Sequence, residues 1–178
     1  MCNSGGYGKD STVTVIDAAK DSVIKTIRVG INPTAIQLDA SNKLWVLCKG
    51  NYGDFQGNGK TIAELVKINP ATGAIESRMQ VGTLGDHPSR LAISKDKTKL
   101  FYENKGIYKY SIWDSALPTQ AFIAKSFYGM DVDPATDYLY GADAKNFQVK
   151  GVVYRYNPSG SLVDSLQVGV APSGFTFN

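Results

Sequence analysis

The sequence predicts an all-β fold, and three observations support this prediction. Short segments alternate apolar and polar residues with a period of two and are rich in β-branched and aromatic residues, for example "STVTVID" and "VVYRYN". Asn-Pro, Asp-Pro, Thr-Gly and Ser-Gly pairs stand between these segments and end strands. No segment keeps a 3.6-residue apolar stripe for three turns. The segment 60–68 has a helix-like composition, but Pro70 follows it and its repeat partners are strands, so a strand is expected there.

Two short phrases recur along the chain and define a repeat. One is an apolar or aromatic residue followed by Asp, Asn or Ser, at Ile16-Asp17, Ile68-Asn69, Tyr110-Ser111 and Tyr156-Asn157. The other is a corner at Val29-Gly30, Val81-Gly82, Tyr128-Gly129 and Val168-Gly169. The interval is about 40 to 50 residues and holds four short strands, which is typical of a β-propeller blade. A solenoid or a β-sandwich is the alternative.

The four strands of each repeat follow in order from the channel outward. The first strand of each repeat is the inner strand, and it is expected at 34–39, 89–94, 129–133 and 172–177. Second strands are expected at 43–48, 98–103 and 137–142, and third strands at 12–17, 63–68, 106–112 and 151–157. Fourth strands are expected at 74–81, 119–126 and 161–168.

The repeat register also predicts how the chain is divided. Residues 1–30 would be the outer strands of one blade, 31–81, 82–126 and 127–168 complete blades, and 169–178 a lone inner strand. The chain would then hold about four blade equivalents with two incomplete ends. Because a closed four-bladed ring would expose unpaired edges, we expect the chain to be part of a larger ring of seven or eight blades. A self-sufficient four-bladed ring is the alternative.

Composition excludes several classes of protein. The 178 residues are 43% apolar, enough to bury a single core, and the net charge of +3 does not by itself indicate a nucleic-acid or membrane partner. No apolar stretch approaches the roughly 20 residues that span a bilayer, and polar residues directly after Met1-Cys2 argue against a signal peptide. Cys2 and Cys48 occupy equivalent positions in neighbouring repeats, so we expect free thiols rather than a disulfide.

The segment "STVTVIDAAKDSVIKTIRVGINPTAI" at 11–36 resembles the repeat of the YncE-like, YVTN-type propellers, often labelled surface-layer proteins. That repeat runs through Val-x-Val-Ile-Asp, Thr-Ile-x-Val-Gly and a Pro before the next inner strand. The resemblance is weaker at 119–133, where Ser126, Phe127 and Tyr128 replace the usual corner. It implies a β-propeller located in the cell envelope, periplasmic or at the surface, with no assigned chemistry.

Three motifs are better explained by structure than by chemistry. "GNGKT" at 57–61 is not a phosphate loop, because Asp54 stands where a glycine is required. His87 follows Asp86, but no nucleophile is identifiable beside this pair, so a polar turn is expected. "DVDPATD" at 131–137 lacks the spacing of calcium ligands and fits a strand and its hairpin turn. No catalytic residue, metal site or cofactor is predicted.

The predicted binding surface is a rim of loops at one mouth of the channel. The loops between second and third strands and the connections between blades meet there, and they carry exposed aromatics on Gly-rich segments together with lysines. The candidate ligand-binding residues are Tyr7, Asn32, Lys49, Tyr52, Phe55, His87, Arg90, Tyr128, Lys145 and Phe147. Packing of the aromatics between blades is the alternative.

Two functions from different classes follow, and a third is weaker. The first is a non-catalytic binding or scaffold propeller of the cell envelope whose ligand is a protein, a glycan or a polyanion. The second is binding of single-stranded nucleic acid or another polyanion, which aromatic platforms beside lysines permit. The third is a propeller enzyme of a quinoprotein-like or lyase-like kind. A further expected partner is a second copy of the chain, because the incomplete blades at its two ends could close an eight-bladed ring as a homodimer.

Overall fold

The computed structural model describes residues 1–5, 9–54 and 56–177 and contains fourteen strands and no helix within these residues. The strands are β1 (Cys2–Asn3), β2 (Thr12–Asp17), β3 (Ser22–Arg28), β4 (Pro33–Leu38), β5 (Leu44–Cys48), β6 (Ala63–Ile68), β7 (Ile75–Val81), β8 (Leu91–Ile93), β9 (Lys99–Glu103), β10 (Ile107–Ser111), β11 (Gly129–Val132), β12 (Leu139–Asp143), β13 (Lys150–Tyr156) and β14 (Leu162–Val170). The all-β prediction is confirmed.

The strands form four antiparallel sheets, each built from consecutive strands. Their orders are β1-β2-β3, β4-β5-β6-β7, β8-β9-β10 and β11-β12-β13-β14. The chain divides into two compact units, unit 1 (Met1–Ser89) with the first two sheets and unit 2 (Arg90–Asn178) with the other two. Each sheet is an up-and-down meander, which is the arrangement that the repeat pattern predicts for a blade.

The recurring Asp or Asn of the sequence repeat forms the turn between the last two strands of a sheet. The side-chain Oδ1 accepts the amide N–H two residues further on, which closes the turn locally. This bond is present in three hairpins, from Ala19 to Asp17 at 3.0 Å, from Ala71 to Asn69 at 3.1 Å and from Ser159 to Asn157 at 3.1 Å. The phrase recurs in the sequence because the turn recurs in the fold.

Each unit has its own hydrophobic core between its two sheets. In unit 1 the core joins Val13 and Ile27 of the first sheet to Val46 and Val66 of the second. In unit 2 it includes Phe101, Ile107, Phe127, Met130, Leu139 and Tyr156. Strand residues supply these side chains, as period-two patterning predicts, except for Phe127, which precedes β11. The segment 60–68 contributes β6 to the first of these cores and is a strand, as expected.

The prediction of a strand at 119–126 was wrong. Only Ile123 pairs, through an isolated bridge to Ile107, and Phe122 is held by packing against Phe101 with ring centroids 6.0 Å apart. The physical reason lies at Ser111, where the other repeats carry Asp or Asn. Its carbonyl accepts the Asp114 N–H, and the Tyr110 hydroxyl donates to the Asp114 carbonyl at 2.6 Å, so the chain turns away without forming the hairpin.

The inner strand predicted at 172–177 is also wrong as a strand. The segment has no strand structure, although it follows the sheet of unit 2 closely. A Cβ added at Gly129 of β11 would stand 2.3 Å from the Ser173 carbonyl oxygen, and the rings of Phe175 and Phe177 pack on Tyr140 at 5.7 and 5.4 Å. Side-chain packing rather than a hydrogen-bonded ladder therefore holds this segment.

Both cysteines are free thiols, as predicted. Cys2 lies in β1 and Cys48 in β5, so they belong to neighbouring sheets of unit 1. Both pack at the same hydrophobic core. Burial raises the pKa of the Cys48 thiol to about 12, and burial also raises the pKa of Cys2, against a smaller opposing effect of the N-terminal ammonium.

Candidate functional site

Three loops of unit 1 meet around Asn32. This residue adopts a left-handed conformation with φ of 60°, and its side chain is buried. Its backbone N–H donates to the Asp10 carbonyl at 2.7 Å, and its backbone carbonyl accepts the Lys49 N–H at 3.0 Å. Asn32 was predicted to contact a ligand, and the structure gives it the additional role of tying the loop before β2 and the loop after β5 to the corner before β4.

The loop after β5 is shaped by two glycines and one threonine. Gly50 and Gly53 have φ of 75° and 81°, which residues with a Cβ rarely adopt. A Cβ at Gly50 would stand 2.4 Å from the Thr61 carbonyl oxygen. The Thr61 hydroxyl accepts the Asn51 N–H at 2.8 Å, and this contact fixes the two ends of the loop against each other.

Tyr52 projects from this loop and lies against His87. The ring centroids are 3.9 Å apart with the planes tilted by 32°, and the Tyr52 side chain remains 51% exposed. His87 Nδ1 lies 2.8 Å from the Lys49 carbonyl oxygen. Since a carbonyl only accepts, Nδ1 must donate in this contact. The imidazole is thus anchored to the loop backbone and supports the phenol ring from one side.

Lys49 completes the arrangement around Tyr52. Its Nζ lies 5.4 Å from the centroid of the Tyr52 ring, within the range of a cation–π interaction. Asn32, Lys49, Tyr52 and His87, all predicted from the sequence, are therefore brought together. Tyr7 and Phe55, which were predicted with them, lie outside the described residues.

A cleft of about 590 Å³ opens beside this cluster, and we call it the Tyr52 cleft. Its lining residues are Ser4, Lys9, Asn32, Lys49, Asn51, Tyr52 and Gly53. Two lysines and no carboxylate are among them, so the lining carries positive charge. Ser4, Asn51 and Gly53 were not predicted as site residues, although the Gly- and Asn-rich composition of the loop marked the segment.

Unit 2 contains a second cluster of predicted residues. Arg90 Nε donates to the Tyr128 carbonyl at 3.0 Å, and the guanidinium lies 5.8 Å from the Tyr128 ring centroid. Phe147 meets Tyr128 edge-on, with centroids 4.9 Å apart and an angle of 89°. Tyr128 and Phe147 remain about half exposed, at 48% and 53%.

Lys145 has a different environment from the rest of the predicted residues of unit 2. Its Nζ forms an ion pair with Asp143 Oδ2 at 2.8 Å, and Lys125 reaches the same oxygen at 3.3 Å. Burial acts to raise the pKa of Asp143, but hydrogen bonds and charge from the two lysines outweigh it and lower the pKa. Lys145 is thus engaged by a carboxylate rather than directed at Tyr128.

Glu103 was missed by the sequence analysis. It lies at the end of β9, and burial raises its pKa above the ordinary range for glutamate. The Ser126 hydrogen bond, the Lys105 amide and the charge of Arg90 act in the opposite direction and are too weak to cancel the effect. No sequence signal distinguishes it, because burial of a carboxylate at the end of a strand arises from tertiary packing.

The motifs set aside in the sequence have structural roles. "GNGKT" at 57–61 is part of the loop before β6, where Asp54 Oδ1 accepts the amides of Gln56 and Asn58. In "DVDPATD" the Asp133 carboxylate closes a turn by accepting the Ala135 N–H at 2.8 Å. Within the described residues no group of three or more His, Cys, Asp or Glu side chains is placed to hold a metal ion. The described part of the chain also contains no helix that could span a membrane.

Comparison with protein-family models finds no match, and no curated protein matches the sequence. Solved structures do match. Hydrazine synthase of Kuenenia stuttgartiensis aligns with 89% of this chain at 15% identity and a TM-score of 0.65. A quinoprotein alcohol dehydrogenase-like protein of Bacteroides thetaiotaomicron aligns with 92% at 17% identity and a TM-score of 0.66. A chain of the mitotic checkpoint complex aligns with 88% at 11% identity and a TM-score of 0.64.

These similarities concern the fold, since the identities are low. The chain spans less than half of each of the three structures, namely 44%, 42% and 44% of their lengths. The all-β architecture of consecutive antiparallel meanders, together with these neighbours, shows a propeller-like fold.

Proposed function

We propose that this protein is a non-catalytic binding propeller that recognises its ligand at the Tyr52 cleft. The observation that carries the proposal is the exposed Tyr52 ring, supported from behind by His87 and flanked by Lys49 at the edge of a roomy cleft. A half-exposed aromatic ring held in a fixed orientation is suited to stacking on a ring of a ligand. Packing between sheets does not account for Tyr52, because about half of its surface is accessible.

The absence of catalysis is part of the proposal. His87 is the only histidine of the chain, and its Nδ1 and one ring face are used to hold Lys49 and Tyr52 in place. This is the role of a supporting residue rather than of a general base. An enzyme of the quinoprotein-like kind is the alternative, and the dehydrogenase-like protein among the similar structures is the reason to test it.

We also propose the YncE-like, YVTN-type repeat family and a location in the cell envelope. The support is the repeat phrase itself, whose Asp and Asn residues close equivalent turns after β2, β6 and β13. Recovery of a labelled copy of the protein in the envelope fraction of its cell would support this location. Recovery of that protein entirely in the cytosolic fraction would overturn it.

The binding proposal is tested by titrating the isotope-labelled protein with three probes of different chemistry. These are a neutral oligosaccharide, an acidic oligosaccharide and a twelve-residue oligothymidylate. We expect at least one probe to shift the amide resonances of Lys49, Asn51 and Gly53 in a saturable manner. Saturable shifts confined to other parts of the chain, or none with any probe, would contradict the proposal.

Binding of a polyanion is a second candidate because two lysines and no carboxylate line the Tyr52 cleft. Neutralised phosphates release counterions, so the affinity for oligothymidylate should fall steeply with salt. Lys49→Ala should weaken binding and reduce the slope of the salt dependence, while Lys20→Ala, on an exposed turn between β2 and β3, should leave both unchanged. Equal affinity at 50 and 300 mM salt would exclude this candidate.

We propose that the exposed strand of unit 2 has a second copy of the chain as its partner. β14 is the outer strand of its sheet, and its apolar side chains Leu162, Leu166 and Val170 are exposed, Leu166 by 67%. An exposed outer strand with apolar side chains is a site where another chain can pair or pack. This contact differs from the eight-bladed ring expected from the sequence, in which the incomplete blades at the two chain ends would meet; that ring stays a prediction.

A further inference from the structure

A second cavity of unit 1 lies apart from the Tyr52 cleft. It has a volume of about 280 Å³ and is formed by the residue before β2, the corner between β3 and β4, the residues around the start of β6, and β7. Its lining residues are Ser11, Arg28, Val29, Gly30, Ile31, Thr61, Ile62, Glu64 and Arg78. None of these residues was predicted as part of a site, and none lines the Tyr52 cleft.

The charges of this cavity do not cancel. Arg78 Nη1 donates to Glu64 Oε2 at 2.8 Å, so these two residues form an ion pair. Arg28, the last residue of β3, lines the same cavity and is exposed, and its guanidinium has no hydrogen bond or ion pair with the side chains or backbone of the described residues. The lining therefore carries two guanidinium groups and one carboxylate, which leaves one positive charge without a counterpart.

The remaining lining supplies hydrogen-bond donors and space. Ser11 and Thr61 are lining residues that carry hydroxyl groups. The Thr61 oxygen accepts the Asn51 N–H, so its own hydrogen is left to donate. Gly30 leaves space at the base of the cavity, because a Cβ at this position would stand 2.6 Å from Glu64 Oε2 and 2.8 Å from the Cys48 Cβ. A glycine is required at this point by packing, and it brings the backbone close to the cavity.

We propose that this cavity, which we call the Arg28 pocket, binds a phosphate-like oxyanion. A guanidinium offers paired N–H donors that match the oxygens of phosphate or sulfate, and hydroxyls complete the coordination of such anions. The anion is either free phosphate or a phosphate group within a larger ligand. The proposal goes beyond the function assigned to the Tyr52 cleft and does not depend on it.

The test uses inorganic phosphate as the probe. The labelled protein is titrated with sodium phosphate at constant ionic strength, with chloride as the balancing ion, so that general screening does not change. We expect saturable shifts of the amides of Ser11, Gly30 and Ile62. Arg28→Ala should weaken binding about tenfold, as expected for loss of a charge-assisted hydrogen bond, whereas Lys20→Ala removes the same charge outside the pocket and should have no effect.

A variant with the opposite effect separates binding from a structural role. Glu64→Gln removes the negative charge of the pocket while keeping the size of the side chain, so phosphate should bind about three to ten times more tightly. A merely destabilised pocket could not gain affinity. Unchanged phosphate binding by Arg28→Ala would overturn the proposal, and so would unchanged or weaker phosphate binding by Glu64→Gln.

The source of the anion is distinguished by comparing inorganic phosphate with oligothymidylate. If the pocket takes free phosphate only, saturating phosphate leaves the affinity for the oligonucleotide unchanged once ionic strength is matched. If the pocket takes a phosphate of the polymer, phosphate competes and Arg28→Ala weakens both ligands. Tyr52→Ala should leave phosphate binding intact, so failure of the Tyr52 proposal can be recognised separately from failure of this one.

Discussion

Tyr52 and His87 stack with their ring centroids 3.9 Å apart, and His87 Nδ1 is bonded to the backbone of the loop that carries Tyr52. Thirty-five positions separate the two residues in the chain, so the contact joins the loop after β5 to the connection between β7 and β8. The histidine holds both the ring and the backbone of the loop. The orientation of Tyr52 therefore depends on a residue that is distant in the sequence as well as on its own loop.

We predict that His87→Ala reduces ligand binding at the Tyr52 cleft with only a small loss of stability. The substitution removes a ring contact of about 0.5–1.5 kcal/mol and a hydrogen bond of about 1 kcal/mol. The free energy of unfolding, measured by urea denaturation, should fall by about 1.5–2.5 kcal/mol. His87→Gln offers a donor to the Lys49 carbonyl without the ring, and it should recover part of the stability but not the binding.

Asp39 is predicted to be the most sensitive polar residue of unit 1. Its carboxylate is buried and accepts three donors, the Trp45 indole N–H at 2.7 Å and the amides of Ser41 and Lys43 at 2.8 Å each. Asp39→Ala removes the acceptor of these three hydrogen bonds and should lower the free energy of unfolding by about 2–4 kcal/mol.

The matched control at this position is Asp39→Asn, which keeps one acceptor oxygen. We expect it to cost roughly half as much as Asp39→Ala in urea denaturation followed by tryptophan fluorescence. Equal stability of Asp39→Ala and the unmodified protein would show that the turn between β4 and β5 does not depend on this carboxylate.

The fold could be predicted well because its signals are local. Alternation of apolar residues located β2, β6 and β13 within two residues of their ends, and the recurring Asp or Asn marked the turns that those residues close. The failure at 119–126 is equally local in origin. Ser111 stands where the other repeats carry Asp or Asn, and a serine closes this kind of turn more weakly.

The site could be predicted only in part, because its chemistry depends on contacts between distant loops. Exposed aromatics on Gly-rich loops identified Tyr52 and Tyr128. Nothing in the sequence shows that His87 contacts Tyr52 and that Arg90 contacts Tyr128. The Arg28 pocket was missed for the same reason. Arg28 and Arg78 end up in one cavity through the packing of two sheets, and no motif links them in the chain.

The buried thiol of Cys48 predicts a dependence of stability on alkaline pH. Burial raises its pKa from 9.0 to about 12 in the folded protein. Between these values the folded state keeps the proton that the unfolded state has lost. The stability contribution is therefore complete below pH 9 and is lost as the pH rises towards 12, by up to about 1.4 kcal/mol per pH unit.

The measurement is urea denaturation at pH 8, 9.5 and 10.5 for the unmodified protein and for Cys48→Ala. The variant should lose less stability over this range, and the difference between the two proteins isolates Cys48 from the buried tyrosines. In parallel, iodoacetamide should modify Cys48 slowly in the folded protein and both cysteines readily in urea. Rapid modification of folded Cys48 would contradict its burial.

Self-association through the outer strand of unit 2 predicts a dimer. Light scattering at micromolar concentration should give twice the chain mass of 19.2 kDa. Replacing the exposed Leu166 with Lys should shift the equilibrium to the monomer, because a charge on an exposed outer strand disfavours pairing. Lys substitution at the exposed Trp113, outside this strand, is the control. A monomer at all concentrations would exclude the dimer.

The central claim is that Tyr52 contacts a ligand, and one comparison tests it most directly. The probe that binds the unmodified protein is used to measure the affinity of Tyr52→Ala and of the control Trp113→Ala. Trp113 lies elsewhere and is more exposed than Tyr52, 68% against 51%. We predict that Tyr52→Ala weakens binding about tenfold or more, since stacking on one ring contributes about 1–3 kcal/mol, and that Trp113→Ala has no effect. Equal affinity of Tyr52→Ala and the unmodified protein, with folding of the variant verified, would contradict the account.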